Sequence, residues 1–430
     1  MRVINTSTFT ITTDNHSLFV DRGYAILSHR WTGAEIEYQG FPHHIAALRS
    51  NLDSLDLLKP IGLNKIRDAC RIARRKNIRW MWIDTCCIDK SNAVEYNESI
   101  NSMYRWYACA TICITYLSDV KMDPNSQGVD IFRSSEHKDR PSTSTWFSRG
   151  WTLQELLAPV DMEFYDTDWE LIGTRKSLAA PLEEITQIKR DYFTGASDCQ
   201  EASIAAKISW MAGRVTEKPE DVAYSMLGLL GINMVPSYGE GAERAFLRLQ
   251  YALLSESTDE TLFAWKMPTG GPGKPAQKPR VYGEHQLARG EWGLLATSPE
   301  WFRHSGNITN RGPRGRIIRR QFGGFAVVQQ GIMVPYSQSS YVEHRRAGHY
   351  ILSCPIFFTV IGIIPLLIYD KYFGWKPVMR FALNAWEPDE KGHLSMVEVA
   401  VWPTQWGSLR ITDYFYNRRQ ENELPMPYGK

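Results

Sequence analysis

The chain has 430 residues, of which 43% are hydrophobic and 22% charged, and its formal net charge is +2. That length allows two or three domains with a sizeable core, while so small a charge speaks against nucleic acid as a partner. Seven cysteines without a CxxC pair speak against a zinc site and for reduced thiols in a cytoplasmic protein, and the N-terminus lacks the charged-then-apolar pattern of a signal peptide.

In chain order, residues 1–23 are polar and read as an irregular extension. Tyr24–Ser28 is a short apolar run, expected as a buried strand, and it ends in His29-Arg30-Trp31. After a long connection, Asn64–Lys76 carries Ile66, Ala69, Ile72 and Ala73 at helical spacing. Its other face, with Arg67, Arg71, Arg74, Arg75 and Lys76, reads as a solvated basic surface. Ile78–Asp84 is the second expected strand. The loop Thr85–Val94 leads into a helix with Ile100, Met103, Tyr104 and Tyr107 on one face. Thr111–Leu117 is the third strand, followed by the polar loop Ser118–Ser142; Asp161–Tyr165 and Trp169–Ile172 are the fourth and fifth. This alternation predicts an α/β domain over 24–200: a parallel, doubly wound sheet with helices on both faces, flavodoxin-like if its strand order is 2-1-3-4.

Residues 201–266 read as a helical segment, with candidates at Ser203–Arg214, Pro219–Leu230 and Gly241–Ser255, then a strand over Asp259–Lys266. The stretch 267–280 is a linker by its Gly and Pro content. From 281 to 430 short apolar runs alternate with turns: Phe325–Gln329, Gly331–Tyr336, Tyr350–Cys354, Val378–Leu383 and Met396–Val401. They predict a smaller β-rich domain. Ile351–Tyr369 approaches the length of a membrane span, but Pro355 and Pro365 interrupt it, and it reads as two buried strands.

The stretch from Thr145 to Pro159 reads as one short helix, capped by Ser144 or Ser148 and stopped by Pro159. Glu155 is its only acid and sits among Trp151, Leu153, Leu156 and Leu157. Such a carboxylate either faces water, as an ordinary solvated glutamate, or faces a cleft. Topology favours the cleft. In an open parallel sheet ligands bind beyond the carboxyl ends of the strands, where the strand order reverses. With order 2-1-3-4 the crevice lies between strands one and three. The segments carrying His29-Arg30-Trp31 and Glu155 then line it together, with Asp84 close by.

The segments YAILSHRW, WIDTCCIDK, ESINSMYRWY, ITYLSDV, WFSRGWTLQELLAP, FYDTDWELIGTR and LFAW, in this order, resemble the fungal heterokaryon-incompatibility (HET) domain family from about Tyr24 to Trp265. The resemblance implies a role in non-self recognition and programmed cell death when unlike fungal cells fuse. The HET domain is in turn similar to TIR domains, several of which hydrolyse NAD⁺ with one glutamate. The segment Trp151-Thr152-Leu153-Gln154-Glu155-Leu156 resembles the TIR glutamate helix, with Thr152 where that helix has cysteine. Ser28-His29-Arg30 resembles the turn after the first TIR strand, and Ile83-Asp84 the end of its second. The usual glycine of the loop after that second strand is missing, and the connections at 31–62 and 118–142 are long.

The resemblance therefore implies Glu155 as catalytic carboxylate and Ser28, His29, Arg30, Trp31, Asp84 and Trp151 as substrate-binding residues. NAD⁺ is the expected substrate, and neither a metal nor a resident cofactor is expected. One carboxylate suffices for this chemistry: nicotinamide leaves neutral, so no general acid is needed, and a fixed negative charge balances the oxocarbenium-like transition state. Arg30 suits the pyrophosphate and Trp31 can stack on a ring. Self-association on activation is expected, with other HET or TIR-like proteins as further partners. The rival expectation is a non-catalytic adaptor using Trp146 and Trp151 as interface anchors.

Overall fold

The computed structural model describes residues 1–54, 56–135, 142–266 and 295–310, together with eight strand segments between 281 and 413 and residues 389, 391 and 392. Its contacts gather into two units, Met1–Glu201 with Gly213–Gly241, and Ala202–Ala212 with Ala242–Lys430.

The first unit is built on a seven-stranded sheet. Its elements in chain order are β1 (Arg2–Asn5), β2 (Ile11–Thr13), α1 (His16–Arg22), β3 (Ala25–His29), α2 (Ile45–Ser50), α3 (Gly62–Arg75), β4 (Trp80–Trp82), α4 (Ala93–Ala108), β5 (Ile112–Tyr116), α5 (Thr152–Leu157), β6 (Met162–Tyr165), β7 (Leu171–Thr174), α6 (Ala179–Thr186) and α7 (Arg190–Thr194). The strand order is β2-β1-β4-β3-β5-β6-β7. β4, β3, β5 and β6 run parallel, with Ala25 opposite both Met81 and Ile112, and Cys113 opposite Met162. The expected 2-1-3-4 order is therefore present, and the direction in which strands are added across the sheet reverses between β3 and β5. Right-handed crossovers put α3 on one face and α4 and α5 on the other, and α4 and α5 pack together. Val3, Ile26, Trp82, Ile114 and Phe164 are among the buried side chains of the sheet.

Two expectations are corrected at the edges. Residues 1–23 are not irregular: β1 and β2 form a hairpin, and Ile4 pairs antiparallel with Met81, extending the sheet. Asn5 Oδ1 accepts from the backbone N–H groups of Ser7 and Thr8 at 3.0 and 3.1 Å, which sets the turn. The fifth expected strand, β7, runs antiparallel to β6. The basic face of α3 is only partly solvated. Arg67 is buried and bonded to both Asp68 oxygens and to Asp56 O, whereas Arg75 and Lys76 are exposed.

Residues 213–241 return to this unit as α9 (Asp221–Tyr224) and α10 (Leu227–Leu230), two short helices where one was expected. α10 packs on α4 so closely that a Cβ on Gly228 would lie 2.0 Å from Cβ of Tyr104.

In the second unit, α8 (Ile204–Ser209) is capped by Ser203, whose Oγ accepts from Ala206 N at 3.1 Å. α11 spans Ala242–Glu256. The strand expected over Asp259–Lys266 is a 3-10 turn, Glu260–Phe263, because Asp259 caps the Thr261 N–H and holds Ile204 N with its other oxygen. The β-rich C-terminal part appears as two hairpins, β8 (Val281–Tyr282) with β9 (His285–Gln286) and β10 (Ala326–Val328) with β11 (Gly331–Met333), and an antiparallel sheet of β12 (Tyr341–Glu343), β13 (Val378–Pro388), β14 (Leu394–Gln405) and β15 (Ser408–Asp413). The linker 267–280, the run Tyr350–Cys354 and the apolar stretch Ile351–Tyr369 lie outside the described residues. Among the described residues no helix is long and apolar enough to cross a membrane.

Candidate active site

The site forms at the carboxyl ends of β3 and β4. The helix expected over Thr145–Pro159 is two pieces, a 3-10 turn at Thr145–Ser148 and α5. The chain is pulled straight between them, because Val215 N donates to Ser148 O at 2.7 Å and Gly150 N to Val215 O at 2.9 Å. Ser144 caps the first piece, accepting from Trp146 N at 3.3 Å. Asp119 locks that cap, taking bonds from Ser144 Oγ, Thr145 N and Thr145 Oγ1 at 2.5, 2.7 and 2.8 Å.

Two arginine side chains, half-buried Arg214 and buried Arg175, clamp both ends of α5. Arg214 Nη1 donates to Arg149 O at 2.9 Å and to Thr152 Oγ1 at 3.1 Å. Arg175 Nη1 donates to Leu156 O at 2.7 Å and its Nη2 to Val160 O at 3.1 Å, satisfying carbonyls that a short helix leaves free.

So held, Glu155 reaches back to β3. Ser28 Oγ donates to Glu155 Oε2 at 2.5 Å, and Trp146 Nε1 donates to Ser28 Oγ at 3.0 Å. The Tyr107 phenol, which donates to Leu27 O at 3.0 Å, is near enough to influence the carboxyl. Glu155 is only 5% exposed. Burial, with the Asp84 charge adding to it, pushes its pKa up to about 8 against the opposing hydrogen bond from Ser28 and the charge of Arg149. At neutral pH the carboxyl is thus mostly protonated.

Beside it stands a charged cluster around Asp84. Burial raises the pKa of Asp84, but hydrogen bonds and charge from His29, with help from Lys90 and Trp31, outweigh it and hold the carboxyl below its usual range. His29 Nε2 lies 3.1 Å from Asp84 Oδ1, and Trp31 Nε1 donates to Asp84 Oδ2 at 2.9 Å. On the other side of His29, Lys65 pairs with Glu35 and donates to Arg30 O at 3.0 Å. Arg30 Nη1 donates to Thr145 Oγ1 at 2.7 Å, which ties the turn after β3 to the segment carrying Glu155.

Of the sequence-derived residues, Ser28 touches Glu155 directly, and Asp84 is near enough for its charge to act on it. His29 and Trp31 surround Asp84, and Arg30 bridges to Thr145. Trp151 stands apart from that set: it is half-buried and donates from Nε1 to Asp221 Oδ2 at 2.9 Å, while Tyr238 donates to the other oxygen at 2.9 Å. Trp146 is 1% exposed and packs edge-on against Phe147 and Phe164, so it is no surface anchor. Sequence reasoning missed Tyr107, which its helical spacing marked only as core. It also missed Asp119, whose position after β5 carries no signal for a contact 25 residues away.

Residues 24–143 match the model of the family described as "Heterokaryon incompatibility protein (HET)". Over these residues the chain is similar to the HET domain family. A stretch of 228 residues is 38% identical to "Vegetative incompatibility protein HET-E-1" of Podospora anserina, covering 53% of this chain and 16% of that protein. The chain thus spans about a sixth of the length of that relative. No solved structure matches. The HET family match takes in Ser28, His29, Arg30, Trp31 and Asp84 and stops before Glu155.

Proposed function

We propose that this HET-like domain cleaves the nicotinamide–ribose bond of NAD⁺ and that this is the executing step of an incompatibility response ending in cell death. The observation that carries the reading is the bond between Ser28 and Glu155 at the carboxyl edge of the sheet, within the field of Asp84. In the reaction the bond from C1′ to the pyridinium nitrogen breaks and its electron pair stays with nicotinamide, which leaves neutral. Water adds to C1′ and releases a proton, giving ADP-ribose. The developing oxocarbenium ion needs a fixed negative charge nearby, and Glu155 is the group positioned to supply it.

The ligand-free protein holds Glu155 mostly neutral. An arriving cation favours the ionised form, since an opposite charge lowers the pKa of an acid. A cationic substrate entering the site would therefore favour the charged carboxylate. Arg30 keeps further N–H groups to offer a phosphate beyond the one bonded to Thr145. Self-association, alone or with other HET or TIR-like proteins, is proposed as the activating event.

The test is nicotinamide release from NAD⁺ by purified, concentrated or cross-linked chain, with and without Glu155→Gln. Toxicity that survives Glu155→Gln, with no release in either protein, would favour the adaptor reading instead.

A further inference from the structure

Trp31 presents one indole face to the half-buried loop between β4 and α4, and that face is occupied. Lys90 Nζ lies 3.6 Å from the ring centroid. The ammonium is shielded from solvent yet has no hydrogen-bond acceptor among the described residues. Its nearest carboxylate partner, Glu37, is 3.8 Å away. Burial lowers the Lys90 pKa, although the charges of Asp84, Glu37 and Glu35 oppose it. A desolvated ammonium held by a ring and by distant charges is poorly satisfied where it sits. The surroundings themselves suit a cation: an electron-rich indole, its Nε1 fixed on Asp84, with Glu35 and Glu37 nearby.

We propose that the Trp31 face beside Asp84 is a binding subsite for a flat organic cation of the N-alkylpyridinium type, and that Lys90 is its resident competitor. A pyridinium ring recovers the same ring and charge interactions without needing the hydrogen bonds that an ammonium lacks there. The ligand must first expel Lys90, whose four-carbon stem can swing the charge into water. The proposal rests on the NAD⁺ reading only for the identity of the natural ligand, whose nicotinamide ring is such a cation. It adds that Lys90 sets the affinity of the resting protein for that ring.

The test uses the full chain and 1-methylnicotinamide, a pyridinium with no ribose bond to cleave, so binding is read independently of any hydrolysis. Neutral nicotinamide is the comparison. Lys90→Ala is expected to bind 1-methylnicotinamide about tenfold more tightly than wild type, the scale of one displaced cation–π contact. Lys90→Arg, which keeps a cation over the ring, should bind as wild type does, and Trp31→Leu combined with Lys90→Ala should lose the gain. Unchanged melting of Lys90→Ala would show that the fold is intact. Weaker, equal or undetectable binding by Lys90→Ala overturns the proposal, as does an equal gain for neutral nicotinamide, which would mean that only space was opened. Absence of NAD⁺ cleavage alongside the expected binding would remove the catalytic reading and leave the subsite standing.

Discussion

Ser28 and Glu155 are 127 residues apart in sequence, and a 2.5 Å hydrogen bond joins them at the carboxyl edge of the parallel sheet. The same hydroxyl accepts from Trp146, so a strand residue, a helix carboxyl and a buried indole form one chain of polar contacts. Each link constrains what the carboxyl can do.

The first consequence is a pH profile. If an ionised Glu155 is required, kcat/KM for NAD⁺ should rise with pH and level off above about 8, the value to which burial raises its pKa. A profile already flat from pH 6 upward would show that Glu155 does not limit the reaction.

The same shift sets a stability trend. The folded pKa lies above that of the unfolded chain, so the folded protein binds the extra proton. The contribution is fully present below the unfolded value of 4.5 and is lost as pH rises through about 8. Glu155→Gln removes the titration. Urea melts should show wild type losing on the order of a few kcal/mol relative to Glu155→Gln between pH 5 and pH 9.

Ser28→Ala removes a bond that favours the charged carboxylate and leaves Trp146 Nε1 without its acceptor. The Glu155 titration, followed by NMR, should move further upward, and stability should fall by about 1–3 kcal/mol for the orphaned donor. A titration moving downward would contradict the assigned direction of this hydrogen bond.

Gly228→Ala tests the packing of α10 on α4. The added Cβ meets the Tyr104 side chain at 2.0 Å, so an element must shift. A loss of about 1–3 kcal/mol is expected in denaturant unfolding. A neutral result would mean that the two helices are looser than described.

Much of the sheet was legible in the sequence because buried parallel strands are continuous apolar runs, as at Ala25–His29 and Ile112–Tyr116, and these lie in the order that the crossovers require. The hairpin of β1 and β2 was not, since strands of four and three residues carry too little pattern. The break at Arg149–Gly150 was hidden for another reason: it is imposed by Val215, far along the chain. For the candidate site, topology alone led us to expect the His29-Arg30-Trp31 segment and Asp84 near Glu155, whereas Ser28 entered only through the family resemblance. The raised pKa of Glu155 and the seat of Lys90 on Trp31 arise from tertiary burial, which local sequence does not encode.

The most direct measurement is nicotinamide release from NAD⁺ by the self-associated full chain, compared with Glu155→Gln at pH 8. The account expects release by wild type and a loss of about 10²–10³-fold in the variant, the scale of removing one transition-state charge contact. Equal rates in the two proteins, or no release by the associated wild type, would contradict it.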